Sequence, residues 1–226
     1  MRTKLTIVAI VAAALLAAIA VLVALMITMG PWLGLGAGIA IAIIVLAVYQ
    51  FVARPRHSRW GATDKELHRS MPGDELVPGA ASTTRATTIN ASAEAVWPWL
   101  VQIGYDRAGW YSYDWIDNDG KPSADLIISE LQDLRVGDQI LMAPGLGPEV
   151  KAIEPGRWIV SGGDSDSWCL ALYPEDGSGT RLVSRWRTKW PMSPATVFWI
   201  AISDPGAFIM ERKMLKGIKR RVEAAT

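Results

Sequence analysis

Histidine and cysteine are scarce in this sequence of 226 residues, which has two of the former and one of the latter. The single cysteine, Cys169, excludes a disulfide framework and fits a reducing compartment. Both histidines, His57 and His68, precede position 81, so the C-terminal part of the chain has none. This absence excludes a nucleophile activated by histidine and a metal site built from histidine and cysteine. We expect neither a metal nor a cofactor.

Acidic residues are missing from the first 60 positions, and all 22 of them come later. Of the 23 basic residues, 19 lie from Arg59 onward. The C-terminal part is therefore mildly acidic, which argues against a general nucleic-acid-binding surface. We expect no nucleic-acid partner.

Two long runs at the N-terminus have no charged residue, at 5–29 and 33–52. As helices, both are long enough to cross a hydrocarbon core of about 30 Å. Only a Gly-Pro-Trp turn at 30–32 separates them, so they should run antiparallel. We predict a transmembrane hairpin over residues 1–53.

A secretory signal peptide is the alternative interpretation of the first run. Its apolar region is usually 7–15 residues long, and here a second run follows almost at once. Basic residues flank the hairpin on both sides, Arg2 and Lys4 before it and Arg54, Arg56 and Arg59 after it. The positive-inside rule then predicts a two-pass protein of the cell membrane with its C-terminal domain in the cytoplasm.

Proline and glycine punctuate residues 54–80, which we interpret as a linker. Within it, Thr63 and Glu66 have the spacing of a capping box, which indicates a short helix. The domain proper is predicted over 81–226.

The domain begins with a Thr-rich alternating stretch at 82–90, typical of a strand. Helices are predicted at about 92–103, 109–116, 127–134 and 205–224. Further strands, separated by Gly/Pro turns, are predicted at about 139–143, 149–154, 157–162, 167–173 and 180–190. Such short strands indicate an antiparallel meander.

Two faces are distinguishable in the strand at 180–190. Leu182 and Trp186 share one face, whereas Arg181, Arg185 and Arg187 share the other, which we expect to be solvated. The C-terminal helix is also amphipathic. Its basic face is either solvated or in contact with anionic lipid, and it comprises Arg212, Lys213, Lys216, Lys219 and Arg220.

Five segments resemble the SRPBCC superfamily, which includes START, Bet v 1-like and polyketide cyclase/dehydrase-like proteins. They are V-W-P-W-L-V-Q-I-G at 96–104, R-A-G-W-Y-S-Y-D at 107–114, L-R-V-G-D-Q-I at 134–140, T-R-L-V-S-R-W-R at 180–187 and M-E-R-K-M-L-K-G-I-K at 210–219. The resemblance spans about 82–223 and implies an α+β helix-grip fold, in which a curved antiparallel sheet wraps a long C-terminal helix around a hydrophobic cavity. It also implies binding of lipids, sterols, polyketides or similar molecules, but it supplies no shared catalytic motif.

Aromatic side chains are concentrated in residues 92–118, and others lie on the predicted strands. Tyr and Trp combine a large apolar body with one polar tip, so they suit either a pocket wall or a packed core. Our candidates for ligand binding are Trp97, Trp110, Tyr111, Tyr113, Trp115, Trp168 and Trp186.

Catalysis, if any, is left to Tyr and carboxylate chemistry, because a buried Asp with a Tyr donor can run an enolisation. The candidates are Asp106, Asp114 and Tyr111. Alternatively, Asp106, Arg107 and Asp114 form hydrogen bonds that hold a loop-rich segment together.

Three functions are compatible with these features. The first is a membrane-anchored domain that binds a hydrophobic small molecule or lipid. The second is a cyclase- or dehydratase-type enzyme that acts on a polyketide-like substrate, with its carboxylate or Tyr inside the cavity. The third is a non-enzymatic protein-interaction module at the membrane, which an exposed apolar patch would favour.

Overall fold

A computed structural model describes residues 2–175, 177, 179–190 and 193–226. The chain divides into two compact units, Met1–Pro55 and Arg56–Thr226. Each unit is described by itself.

The N-terminal unit is a helical hairpin of α1 (Arg2–Met29) and α2 (Pro31–Val48), followed by a π-helical turn at Tyr49–Ala53. A short helix, α3 (Arg54–His57), comes next. The turn is at Gly30, whose φ of 86° lies in the left-handed region, and Pro31 begins α2 because its missing N–H is not needed there. The two predicted helices and the turn between them are confirmed. The helical segments Ala12–Met29 and Pro31–His57 are long and apolar enough to cross a membrane, by length and composition alone.

The C-terminal unit is organised around a five-stranded sheet in which all neighbouring strands are antiparallel, in the order β1-β5-β4-β3-β2. The strands are β1 (Ala81–Ile89), β2 (Glu149–Glu154), β3 (Trp158–Gly162), β4 (Asp166–Pro174) and β5 (Thr180–Thr188). Five of the six predicted strands are confirmed to within two residues. The sixth, at 139–143, is wrong, because the chain turns back at 143–146 and leaves Gln139 only an isolated bridge to Glu149.

The helices of this unit are α4 (Asp64–His68), α5 (Ala93–Val101), α6 (Asp114–Asp117) and α7 (Pro194–Ala225). The helix predicted at 109–116 is reduced to α6, since Tyr111 has a φ of 55°, outside the right-handed helical region. The one predicted at 127–134 is a single 3-10 turn at Ser129–Leu131.

The C-terminal helix begins 11 residues earlier than predicted, at Pro194. We expected Pro205 to mark its start, but Pro205 lies inside the helix. The N-cap is Ser193, whose hydroxyl accepts a hydrogen bond from the Thr196 N–H at 3.1 Å. The helix packs on β1 and α5, and α5 packs on β4.

Both faces of the sheet are covered. The inner face carries the larger apolar core, which includes Leu170, Leu182 and the buried side of α7 around Leu215 and Ile218. The outer face carries a smaller core that includes Met71, from the predicted linker.

The solvated outer face predicted for β5 is therefore wrong. Arg185 is only 3% exposed and pairs with Asp74 at 2.8 Å. Arg181 pairs with Glu66 at 2.7 Å, and Arg187 pairs with Asp74 at 3.3 Å. These contacts attach residues 56–80 to the sheet, so this stretch folds as part of the C-terminal unit. The capping box of Thr63 and Glu66, which starts α4, is confirmed.

Candidate ligand-binding site

Three tryptophans form an aromatic stack on the inner face of the sheet. Trp168 on β4 and Trp186 on β5 are cross-strand partners, and their rings stack at 4.8 Å with an interplanar angle of 10°. Trp110, from the loop after α5, lies 5.7 Å from Trp168. Trp168 and Trp110 are buried, whereas Trp186 is only partly buried. The stack therefore extends from the core toward solvent.

A buried polar network lies next to this stack. The indole N–H of Trp168 donates to the Ser184 hydroxyl at 2.9 Å, and Ser184 donates to Glu211 Oε1 at 2.6 Å. The other carboxylate oxygen of Glu211, on α7, accepts a hydrogen bond from Arg85 on β1. Burial raises the pKa of the Glu211 carboxyl, and the positive charge of Arg85 opposes that rise. The network thus connects sheet, helix and aromatic stack through hydrogen bonds.

Three polar atoms in this region form no hydrogen bond within the described part of the chain. They are Trp110 Nε1, Ser161 Oγ and Arg85 Nη2. Ser161 on β3 is the cross-strand partner of Trp168, so its side chain lies on the same face of the sheet. Buried polar groups without partners are rare in folded proteins.

Tyr111 is 2% exposed and serves the packing of the loop. Its hydroxyl accepts a hydrogen bond from Gln102 Nε2 at 2.8 Å and donates to the Trp99 carbonyl at 3.3 Å. Burial raises the pKa of Tyr111 to about 12. The phenol therefore keeps its proton at neutral pH.

The remaining predicted aromatics lie apart from the stack. Tyr113 and Trp115 form an edge-to-face pair at 6.5 Å, and Trp115 is 43% exposed. The Lys213 ammonium lies 4.4 Å from the centroid of the Tyr113 ring. Trp97 on α5 is partly buried against the inner core. Of the seven predicted ligand-binding residues, three come together in one stack.

The two carboxylates that were predicted as catalytic candidates, Asp106 and Asp114, form contacts with other side chains of the same loop-rich segment. Asp106 is exposed and pairs with Lys121 at 3.0 Å, and Asp114 accepts a hydrogen bond from Ser123. The neighbouring Asp117 is buried. Burial, together with the charge of Asp114, raises the pKa of Asp117 to about 6.

Sequence reasoning missed Arg85, Ser161, Ser184 and Glu211. For Glu211 a signal was present, because it lies three and four residues before Met214 and Leu215 and so shares the apolar stripe of α7. Arg85 is the only charged residue of β1, and the residues around it do not predict which face of the sheet its side chain lies on.

The described side chains support neither a metal site nor a reactive thiol. Among the described residues, no group of three or more His, Cys, Asp or Glu side chains could hold a metal ion. Burial raises the pKa of the Cys169 thiol to about 12, so it stays protonated and unreactive.

A five-stranded antiparallel sheet with a long C-terminal helix packed on it makes this unit a helix-grip-like α+β domain. The chain matches no protein-family model and no curated protein.

The chain is similar to several solved structures. Protein SSP2350 from Staphylococcus saprophyticus is 10% identical with a TM-score of 0.42, over 65% of this chain and 94% of that one. CalU16 from Micromonospora echinospora is 20% identical with a TM-score of 0.35, over 66% and 89%. The Polyketide_cyc-like protein Cgl2372 from Corynebacterium glutamicum is 18% identical with a TM-score of 0.29, over 66% and 90%.

Proposed function

We propose that this chain is a membrane-anchored member of the SRPBCC superfamily that binds a hydrophobic small molecule or lipid beside the aromatic stack of Trp110, Trp168 and Trp186. The observation that carries this proposal is the position of the stack. It begins in the buried core at Trp168 and ends at the partly buried Trp186. An apolar ligand bound at Trp186 therefore packs against the aromatic end of the buried core.

The chemistry around the stack fits a small-molecule site. Such sites are mostly apolar and have a few placed polar groups. Here the apolar part is the indole stack, and the polar part is the hydrogen-bonded chain from Trp168 through Ser184 to Glu211.

The N-terminal hairpin supports an apolar ligand. The side chains of Ala12–Met29 are largely exposed, and they are almost all apolar. In a bilayer they would face lipid, and the basic residues on both flanks favour a cytoplasmic domain. A domain held at the membrane meets molecules that partition into it.

The test uses the full chain, purified in detergent and analysed for co-purifying molecules by native mass spectrometry and lipid extraction. We expect an apolar molecule to accompany the wild type. Trp186→Ala should reduce its occupancy about tenfold or more, because losing a large apolar contact costs roughly 1.5–3 kcal/mol. The matched control is Trp190→Ala, which removes a tryptophan that is 42% exposed and lies outside the stack.

Two results would overturn the proposal. One is the absence of any co-purifying apolar molecule from both wild type and control. The other is equal occupancy in Trp186→Ala and Trp190→Ala.

Asp117 favours a second candidate, an enzyme of the cyclase or dehydratase type. Its pKa of about 6 suits a general base near neutral pH. Asp106 and Asp114, in contrast, are engaged in loop contacts. If this candidate is correct, wild-type protein converts its bound molecule, whereas Asp117→Asn keeps it unchanged. Identical molecules in both preparations would exclude it.

A further inference from the structure

Four exposed cations on the basic face of α7 form no ion pair within the described part of the chain. They are Arg212, Lys213, Lys216 and Arg220. The two carboxylates of this part of the helix, at 205–225, have other partners, since Glu211 pairs with Arg85 and Glu223 pairs with Lys219 at 3.5 Å. The basic face therefore presents a net positive charge to its surroundings.

The four cations share one side of the helix. With 3.6 residues per turn, positions 212, 213, 216 and 220 lie within an arc of about 100°. The buried Met214, Leu215 and Ile218 lie on the opposite side. Ile209 belongs to the same arc as the cations and is 51% exposed. An apolar side chain thus lies among the positive charges.

Aromatic rings flank these cations. The Arg212 guanidinium lies 5.3 Å and the Lys216 ammonium 5.7 Å from the centroid of the Trp60 ring, and the Lys213 ammonium lies 4.4 Å from that of Tyr113. Both rings are only partly buried. Trp and Tyr side chains beside Lys and Arg are typical of surfaces at a membrane–water interface, where rings lie at the depth of the headgroups and cations meet phosphates.

The connection to the predicted transmembrane hairpin limits how far this surface can move from a bilayer. Trp60 follows Val52, the last residue of the second predicted span, by eight residues. Eight residues reach at most about 29 Å when fully extended. If the hairpin spans the bilayer, Trp60 stays within that distance of the end of the span. Arg212 and Lys216, which contact the Trp60 ring, stay close to the membrane with it.

We propose that the basic face of α7 binds the surface of an anionic phospholipid bilayer, with lipid phosphates as the partners of its four unpaired cations. Each Lys or Arg near such a surface strengthens binding about fivefold. This docking surface is separate from the aromatic stack, because the opposite side of α7 faces the inner core. The inference goes beyond the ligand site, but it rests on the membrane anchor of the proposed function.

The test places the full chain in lipid nanodiscs and measures how closely α7 approaches the bilayer. Gly206→Cys carries a nitrobenzoxadiazole dye, because Gly206 is exposed on α7 and a Cβ there meets nothing within 4 Å. The native Cys169 is 2% exposed, so it should not take up the dye. Lipids that carry a nitroxide near the headgroup quench the dye when it reaches the bilayer surface.

The composition of the nanodisc is the first variable. We expect quenching to be about threefold or more stronger with about 30% phosphatidylglycerol in phosphatidylcholine than with phosphatidylcholine alone, because only the mixture is anionic. Sodium chloride at about 0.5 M should remove this difference, because it screens the attraction between the cations and the phosphates.

Charge-removing variants of the labelled protein are the second variable. Lys216→Gln with Arg220→Gln should lower the ratio of docked to undocked domain about tenfold or more in anionic nanodiscs. The matched control, Lys151→Gln with Arg157→Gln, removes the same charge from β2 and the turn that follows it, and should leave the ratio unchanged. Lys216→Arg with Arg220→Lys keeps both charges and should also leave it unchanged.

The outcomes separate this inference from the proposed function. Equal quenching in the two kinds of nanodisc would overturn only the inference, and so would full docking of the variant that lacks the charges of Lys216 and Arg220. If the full chain does not enter nanodiscs at all, the membrane anchor of the proposed function and the inference are defeated together.

Discussion

The buried Arg185 and the partly buried Asp74 form an ion pair of 2.8 Å between β5 and the segment that precedes the sheet. The same guanidinium donates to the Arg69 carbonyl at 2.7 Å and to the Thr84 hydroxyl at 3.0 Å. This one side chain therefore holds residues 66–74 against the outer face. The aromatic stack lies on the opposite face, so the outer-face contacts help to keep the sheet in shape behind it.

Replacing Arg185 by Leu should lower the free energy of unfolding by about 2–4 kcal/mol, because Asp74 loses its closer partner and keeps only Arg187 at 3.3 Å, and the Arg69 carbonyl loses its donor. Urea unfolding of the full chain in detergent measures this. The control is Arg157→Leu, which breaks an exposed pair with Glu154 and should cost about 1 kcal/mol or less. Equal losses of unfolding free energy in the two variants would show that the Arg185–Asp74 pair stabilises the fold no more than an exposed pair does.

Gly217 on α7 lies directly against the backbone of Tyr111. A Cβ atom at Gly217 would be 2.2 Å from the Tyr111 carbonyl oxygen. Gly217→Ala should therefore destabilise the domain by about 1–3 kcal/mol, although alanine favours the helix by about 1 kcal/mol. Thermal unfolding followed by circular dichroism checks this.

The same helix offers a matched control, because a Cβ at Gly206 meets nothing within 4 Å. Gly206→Ala should raise stability by up to about 1 kcal/mol. A stabilising effect of both substitutions would contradict the close packing of α7 on Tyr111.

Asp117 should make the domain less stable as the pH rises. Its pKa increases from an ordinary 3.8 to about 6 on folding, chiefly through burial. The folded state therefore holds the proton more tightly. The resulting penalty is absent at pH 3, grows between the two pKa values and is complete above pH 6, at about 3 kcal/mol.

Asp117→Asn removes this titration, so it should stabilise the protein at pH 7 and have little effect at pH 3. Unfolding in urea at both pH values gives the difference. Asp164→Asn, at an exposed turn, should behave like wild type at both. A stabilisation that does not depend on pH would count against an ionised, buried Asp117.

Local patterns predicted the parts of the fold that depend on near neighbours. The capping box at Thr63, the apolar hairpin and five strands follow from spacing and turn residues. The cover of the outer face could not be predicted, because Arg185 finds Asp74 across 111 residues of sequence. Strand alternation shows that Arg181, Arg185 and Arg187 share a face but not what lies on it.

The candidate site, too, could be predicted from the sequence only in part. Trp186 was correctly placed on the same side of its strand as Leu182, since the period of a strand is two. The direct pairing of Trp186 with Trp168 depends on register, which the sequence does not show, and the contact of Trp168 with Trp110 depends on a loop. Glu211 was missed because the sequence does not show that this charge on the apolar stripe of α7 forms an ion pair with Arg85 on β1.

The predicted membrane topology can be tested by cysteine labelling, since the native thiol of Cys169 should not react with the label. Cys169 is 2% exposed and its pKa is about 12, so a membrane-impermeant maleimide should not react with it in the folded protein. Trp32→Cys, at a residue that is 84% exposed next to the turn of the hairpin, should be labelled in intact spheroplasts. Asp164→Cys, at an exposed turn of the C-terminal unit, should be labelled only after the membrane is permeabilised.

This expected pattern follows from the basic residues on both flanks of the two predicted passes, because the positive-inside rule predicts that both flanks stay on the cytoplasmic side. Wild-type protein, without an added cysteine, is the control for background labelling. Labelling of Asp164→Cys in intact spheroplasts would show that the orientation is opposite to the predicted one. A soluble C-terminal fragment that lacks residues 1–53 would instead show that the hairpin is cleaved, and the domain would then meet its ligand away from the bilayer.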